Sequence, residues 1–531
     1  MKKGNLFFNG KIYTQAGDCL VADSMAVKNG RIVAVGKKLE MDADFASFAH
    51  INLKNHAVLP GFVDSHTHFY FMAISMGNVK LDGLNSIEET LGKIRVHATR
   101  LNKTDWVVGE GFSPDRWKKY ILPDRFMLDK VTGGRPAAIF SKDTHMMWAN
   151  SKALAMAGIN RGTPEPKGAT IVRLYDGEPS GILKEIPAYF PVFRLISRPE
   201  KAKALKLYRM ALDASYRKGV TCVHSFDGPE AFPFFAELAE KGRLGLRINY
   251  YAPNKMLPEL NMAGIQSVFG DDFLRVSGIK IFADGALGSQ TAFCFNKYIG
   301  SENNHGIEVT SQKDMTAMIE SAAALGLPCA VHALGDKAIA SVLDCFEQAP
   351  KLLSSLRHRI EHLQLIRRSD IGRLKKLQLV ASMQPSHCPS DIKMINKYWG
   401  NRGKNCFIFR TLLDRGIPLA FGSDAPIEPL DPIAGIDAAV NRFSPGTKES
   451  FHPEERLSVA EAVYNFTAGP AYAVGEEHER GYILPGYKAD FIILSEDIYK
   501  VARTRIKDIT VGATYFNGRL VFQNKNLSLF L

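Results

Sequence analysis

Val58-Leu59-Pro60-Gly61-Phe62-Val63-Asp64-Ser65-His66-Thr67-His68 is an apolar run that ends in one carboxylate and two histidines. The run predicts a strand over 58–66 that is buried on both faces, because such strands read as continuous apolar stretches rather than alternating ones. Residues two apart on a strand point to the same side, so His66 and His68 can reach one metal ion. Alone, a His-x-His pair is a weak signal, since isolated histidines are commonly surface or hydrogen-bonded core residues.

Seven more short apolar runs follow, over 219–224, 246–251, 276–282, 328–332, 358–362, 378–384 and 417–424, each trailed by a helical pattern. Eight such units predict parallel strands closed into a (β/α)8 TIM barrel, of α/β class. Barrel enzymes build their sites at the C-terminal rim of the strands, and Lys280, His332, His362 and Asp424 all fall near that end of their runs. Each has an ordinary reading of its own: His332 and His362 as hydrogen-bonded core histidines, Asp424 as a helix N-cap, Lys280 as an ion-paired barrel lysine. Their coincidence at one rim, together with His66 and His68, points to a metal centre.

The interval between the first and second runs is about 150 residues, far longer than a crossover helix requires, which predicts a subdomain inserted at about 70–205. Helical patterns over 86–101 and 201–217 and a strand over 135–140 give it order, and its place in the chain predicts that it overhangs the barrel mouth. The chain ends read differently. Short β-like runs are punctuated by Asn9-Gly10 and Asn29-Gly30 near the start and by Asn517-Gly518 near the finish, all hairpin signals. The expected organisation is a small composite β-sandwich from 1–57 and 475–531 around a barrel over 58–474.

The 531 residues are 46% hydrophobic and 23% charged, ordinary values for a folded globular chain. The formal charge of +12 is spread along the sequence; its densest cluster, Arg367-Arg368 with Arg373, Lys375 and Lys376, reads as the solvated face of a helix, so no nucleic-acid partner is expected. No apolar stretch reaches the eighteen residues of a membrane span, and the apolar run after Lys2-Lys3 breaks at Asn9, so neither a membrane partner nor a signal peptide is expected. The seven scattered cysteines contain no Cys-x-x-Cys pair, which favours a reducing, cytoplasmic setting over a disulfide framework. No Gly-x-Gly-x-x-Gly, Walker or Gly-x-Ser-x-Gly pattern occurs, which disfavours nucleotide cofactors and serine-hydrolase chemistry.

Over nearly its whole length the chain resembles the amidohydrolase superfamily, in particular its YtcJ-like branch, amidohydrolase family 3. The resemblance rests on 59–68 and on Trp148-Ala149-Asn150-Ser151-Lys152-Ala153-Leu154 and Ser180-Gly181-Ile182-Leu183-Lys184-Glu185. It continues through Lys280-Ile281-Phe282-Ala283-Asp284-Gly285-Ala286-Leu287-Gly288-Ser289, Val331-His332-Ala333-Leu334-Gly335-Asp336, Arg359-Ile360-Glu361-His362 and Gly422-Ser423-Asp424-Ala425-Pro426. It implies one divalent metal, zinc or similar, on His66, His68 and Asp424, and a second on His332 and His362. Lys280, carboxylated on its amine, would bridge the two; an unmodified Lys280 would fit a single ion.

The expected reaction is hydrolysis of an amide-type C–N bond in a small molecule, with metal-activated water as nucleophile and Asp424 as general base. Trp117, His145, Gln384 and His387 are the expected substrate-binding side chains. Of these, His145 and His387 match positions of the resembled family, which commonly has Asp-Gly-His where this chain has Asp143-Thr144-His145. Cyclic-amide hydrolysis and deamination remain rival chemistries of the same superfamily. A non-catalytic barrel scaffold would show a damaged ligand set, and none of the six is missing. A homodimer is compatible with the fold class, although no interface is legible.

Overall fold

The computed structural model describes residues 4–17, 21–114, 117–142, 144, 146–166, 169–196, 199–267, 269–348 and 356–525. It divides into two compact units, Met1–Phe71 with Ala211–Leu531, and Met72–Met210. In the larger unit, eight parallel strands follow one another around a ring. They are β1 (Phe62–Thr67), β2 (Val220–Ser225), β3 (Arg247–Pro253), β4 (Leu274–Phe282), β5 (Cys329–Ala333), β6 (Arg359–His362), β7 (Val380–Met383) and β8 (Leu419–Phe421). Every residue of β1 and β2 is buried, as strands covered on both faces require. The chain closes the ring just past β8: the Asp424 N–H donates to the His66 carbonyl at 2.7 Å, and the His68 N–H to the Ala425 carbonyl at 2.8 Å. Helices such as Ala231–Glu240, Gln312–Ala324 and Asp336–Gln348 alternate with the strands, completing a TIM barrel.

The apolar run at 58–66 is two strands rather than one. Ala57–Pro60 pairs with Phe491–Leu494 in a terminal sheet, and only Phe62–Thr67 enters the barrel. Gly61 is the joint, and a Cβ there would sit 2.4 Å from the Thr221 hydroxyl oxygen, so only glycine lets the chain pass this close to β2. Both halves are apolar because both are central strands, and composition alone does not divide them.

The terminal segments form a four-stranded and a six-stranded sheet. Phe7, Met25, Val27 and Ile32 from the first interleave with Ile12, Val58, Phe491, Ile493 and Tyr515 from the second in one apolar core. Asn29-Gly30 and Asn517-Gly518 make tight hairpins, with φ of 52° and 77°, and of 50° and 72°. Asn9-Gly10 does not: only Asn9 is left-handed, and the strands that it joins lie in different sheets, so it is a crossover between layers.

The unit Met72–Met210 has its own six-stranded sheet, which includes Val107–Phe112, Ala137–Ser141 and Met146–Ala149, and its own apolar cores. The helices Ile87–Ala98 and Lys201–Arg217 and the strand Ala137–Ser141 fall where the sequence patterns put them. Among the described residues no helix is long and apolar enough to cross a membrane.

Barrel and terminal sheets are tied by a buried ion pair. Arg247 on β3 donates to both carboxylate oxygens of Asp490, at 2.6 and 3.2 Å, and its guanidinium lies 5.2 Å from the rings of Phe273 and Phe516. Removing one partner of such a pair leaves a buried charge uncompensated, so Asp490→Ala should cost about 3–5 kcal/mol in denaturant unfolding. The double variant Arg247→Met/Asp490→Leu should lie much nearer to wild type, because no lone charge remains. A single-variant loss under about 1 kcal/mol, the range of exposed pairs, would show that the link carries no stability.

Candidate metal centre

Histidine donors serve a metal only when the ring nitrogen facing it carries a lone pair, so the outer hydrogen bond of each ring decides its role. On β1, Asp64 and His66 share a face, and the His66 Nδ1–H donates to Glu361 Oε2, leaving Nε2 toward the rim. His68, one residue past the strand, donates Nδ1–H to the Phe226 carbonyl at 3.1 Å and likewise presents Nε2. His332 on β5 is reversed: its Nε2–H donates to the Gly285 carbonyl at 3.1 Å, which leaves Nδ1 as its donor.

Both His66 Nε2 and His68 Nε2 lie 3.5 Å from Asp424 Oδ1. His66, His362 and Asp424 each offer a ligand atom within 4.8 Å of the others. His332 adjoins through the His362 ring, with centroids 4.6 Å apart. Lys280, on β4, is buried with Nζ 4.7 Å from the Phe226 ring and 4.8 Å from the Phe282 ring. His362 joins its neighbours although the adjacent Glu361 also points into the barrel. Consecutive strand residues normally face opposite ways, and the chain escapes this by turning left-handed at His362 (φ 69°) and Leu363 (φ 46°).

Electrostatics suit a cation. Burial, reinforced by Lys280, pulls His66 down to about 4 and His332 to about 3, and burial with the neighbouring His332 and His66 rings holds His362 well below the usual range. All three rings are therefore neutral at pH 7. Burial opposes ionisation of Asp424, but the hydrogen bond with His68 leads the contributions that hold its carboxyl well below the ordinary value. Burial lowers the Lys280 amine to about 8, against the pull of Glu361 and Asp424. The nitrogens Lys280 Nζ, His362 Nδ1, Gln384 Nε2 and His387 Nε2 are buried with no hydrogen-bond partner among the described residues. Neutral imidazoles converging on a carboxylate, with polar nitrogens left over, fit a divalent cation of the zinc type.

Of the expected substrate-binding residues, His387 stands 3.6 Å from Asp424 (Nε2 to Oδ2), and Gln384 lies just after β7. Trp117 is buried in an apolar core of the unit Met72–Met210, among Phe112, Leu128 and Trp148. His145 lies outside the described residues. The sequence patterns gave no role to Glu361, Arg359, Phe226 or Asp64, although each touches a ligand or its immediate support. The Arg359-x-Glu361 spacing, with both residues on one strand face beside His362, was the available signal.

A family model described as the amidohydrolase family matches residues 49–522. YtcJ of Bacillus subtilis (strain 168) is 30% identical over 98% of this chain and 99% of its own. The N-substituted formamide deformylase of Arthrobacter pascens is 24% identical over 98% of both chains. Among solved structures, an uncharacterized metal-dependent hydrolase from Pyrococcus furiosus has 29% identity and a TM-score of 0.78, covering 94% of this chain and 100% of that one.

His68 differs from the other rings. Burial lowers its pKa, but the Asp424 hydrogen bond and charge more than offset this, and the net shift is upward from 6.5. In the metal-free protein its proton stabilises the fold below about pH 6.5 and that contribution fades as pH rises past the folded value. A metal must displace the same proton. Uptake should therefore be weaker at pH 6 than at pH 8, with net proton release on binding near pH 7; calorimetry in buffers of different ionisation enthalpy measures it. His362→Ala, which deletes a donor, should lower affinity by more than the roughly 10–100-fold of outer-sphere changes. Affinity unchanged in that variant would remove His362 from the centre.

Proposed function

Because the chain belongs to the amidohydrolase family, we propose that it is a metal-dependent hydrolase of an amide-type carbon–nitrogen bond in a small molecule. The convergence of His66, His362 and Asp424 at the barrel rim carries this reading. The hydrolase class is common to the relatives and the solved neighbour, and the name of the Arthrobacter pascens relative supports an acyclic amide as substrate class. His66, His68, Lys280, His332, His362 and Asp424 are the proposed ligands of one or two divalent ions, zinc foremost; a carboxylated Lys280 would serve two ions, and an unmodified Lys280 would go with one. Small molecules, rather than nucleic acid or a membrane, are the proposed partners, with the cytoplasm as the setting and homodimerisation as the assembly to look for.

A divalent ion in this place supplies Lewis acidity toward a carbonyl oxygen and acidifies water. The protein's own residues do the rest. Addition of water to an amide carbon needs a base, and the departing nitrogen needs a proton because an amide anion leaves poorly. Asp424, held ionised, takes the proton at a carboxylate oxygen and returns it to nitrogen as the C–N bond breaks, giving an acid and an amine. Gln384 and His387 have buried nitrogens without hydrogen-bond partners among the described residues, which supports them as the groups that hold the substrate carbonyl. Trp117, from the inserted segment, and His145, at a position matched in the resembled family, complete the proposed substrate set.

Purified protein should contain zinc, manganese, iron or cobalt at about one or two per chain. A panel of formamides, N-acyl amino acids and cyclic ureides, scored by released amine or opened ring, should give turnover with the acyclic amides, abolished by a chelator and restored by metal. Asp424→Asn should lower kcat by at least about 10²–10⁴-fold, the share of a general base. Metal-free wild type with full activity, or an active Asp424→Asn, would overturn the proposal.

A further inference from the structure

We propose that Arg359 is a positioning residue that acts through Glu361 to fix the angle at which His66 meets the metal, an inference that rests on the metal-holding function proposed above. Arg359 opens β6 and is wholly buried, as is Glu361 two residues on, so both project into the barrel interior from one strand face. The guanidinium holds the carboxylate at two points, Nε to Oε1 at 2.5 Å and Nη2 to Oε2 at 3.1 Å. Glu361 Oε2 in turn receives the His66 Nδ1–H. The relay therefore runs from a fixed cation, through a clamped carboxylate, to the ring whose Nε2 faces Asp424.

An isolated buried ion pair would not require this reading, since such pairs are often replaceable by apolar residues without loss. Arg359 is anchored well beyond its partner. Nη2 also donates to the Ser65 carbonyl at 2.6 Å and to the Ser382 hydroxyl, and Nη1 to His224 Nδ1 at 2.8 Å. Bonds to β1, β2 and β7 thus fix a guanidinium that grows from β6. The Ser65 contact matters most, because it holds the backbone one residue before His66 while Glu361 holds the ring. Lysine would keep the charge but lacks the planar fork that grips a carboxylate and still reaches three other acceptors. Burial of Glu361 favours its neutral form, yet Arg359 and His66 keep it well below the usual carboxylate range, so it serves as an acceptor and fixes the His66 tautomer.

The test uses full-length protein stripped of metal and titrated with Co²⁺, whose visible absorption reports ligand geometry apart from any activity. Arg359→Lys should lower Co²⁺ affinity by about 10–100-fold, the range for outer-sphere partners of a ligating histidine, and alter the absorption band. Glu361→Gln should do the same, and Arg359→Met/Glu361→Gln should bind Co²⁺ within about twofold of Glu361→Gln alone, because residues acting in series are not additive. If an Arg359 variant fails to fold, Ser382→Ala removes one anchor while leaving the ion pair: reduced Co²⁺ affinity supports the relay, and wild-type affinity overturns it. Wild-type affinity and spectrum in Arg359→Lys, or losses that multiply in the double variant, would overturn it as well. Wild-type protein that takes up no metal would remove the proposed function and this relay together, whereas wild-type uptake with unaltered variants removes the relay alone.

Discussion

The barrel has to close on itself, and the seam between its first and last strands is where the donors meet. Asp64, wholly buried on β1, receives the Ser423 N–H at 2.9 Å, the Ser423 hydroxyl at 2.5 Å and the His66 N–H at 3.1 Å. One carboxylate therefore fastens the start of the barrel to its end and sets the backbone beside a ligand. Gly422 makes the approach sterically feasible: a Cβ there would lie 2.4 Å from the His66 nitrogen and 2.8 Å from Asp64 Oδ1. Seam and metal centre are one structure, since the same contacts that close the ring bring His66 and His68 against Asp424 across most of the chain.

Burial has opposite consequences for the groups gathered there. For His66, His332 and His362 it removes the proton and leaves lone pairs available. For Asp424 it would favour the neutral acid, and the contact with His68, whose own pKa is shifted upward, leads what keeps the carboxylate charged. The two effects divide among the histidines: the dry site keeps His66, His332 and His362 neutral, and His68 offsets it for the carboxylate. Phe226 contributes to that dryness from several sides, stacked 4.3 Å from the His66 ring and 4.8 Å from the Tyr251 ring while its carbonyl fixes His68.

The legible part of this architecture is what each strand carries by itself. Apolar runs bounded by helical patterns locate the eight strands, and ligand-type residues at their C-terminal ends locate the rim, because both are local properties of a parallel barrel. Pairing across the barrel is not local. Nothing in Arg359-Ile360-Glu361-His362 says that Glu361 reaches His66 or that Arg359 reaches Ser65, since both depend on strands nearly 300 residues earlier. The same limit explains Val58 to Phe62, where one apolar run serves two sheets, and Asn9-Gly10, where a hairpin signal becomes a change of layer.

Two of the donors occupy backbone conformations that side chains with a Cβ seldom adopt, His362 at φ 69° and Asp424 at φ 62°. Such residues cost of order 1–3 kcal/mol each and persist where the surroundings over-determine them. At Asp424 the constraint is the N–H bond to the His66 carbonyl; past His362, the Leu363 N–H is held by the Ala333 carbonyl at 3.2 Å. Each is a contact to the neighbouring strand end, so the ring of the barrel supplies the force that turns these donors inward. A regular strand would have left His362 facing away from Glu361 and out of the cluster. Strain at the rim and closure of the seam are therefore a single physical arrangement: the sheet's hydrogen bonds hold two unfavourable turns in place, and those turns bring together side chains that the strand repeat would have kept apart.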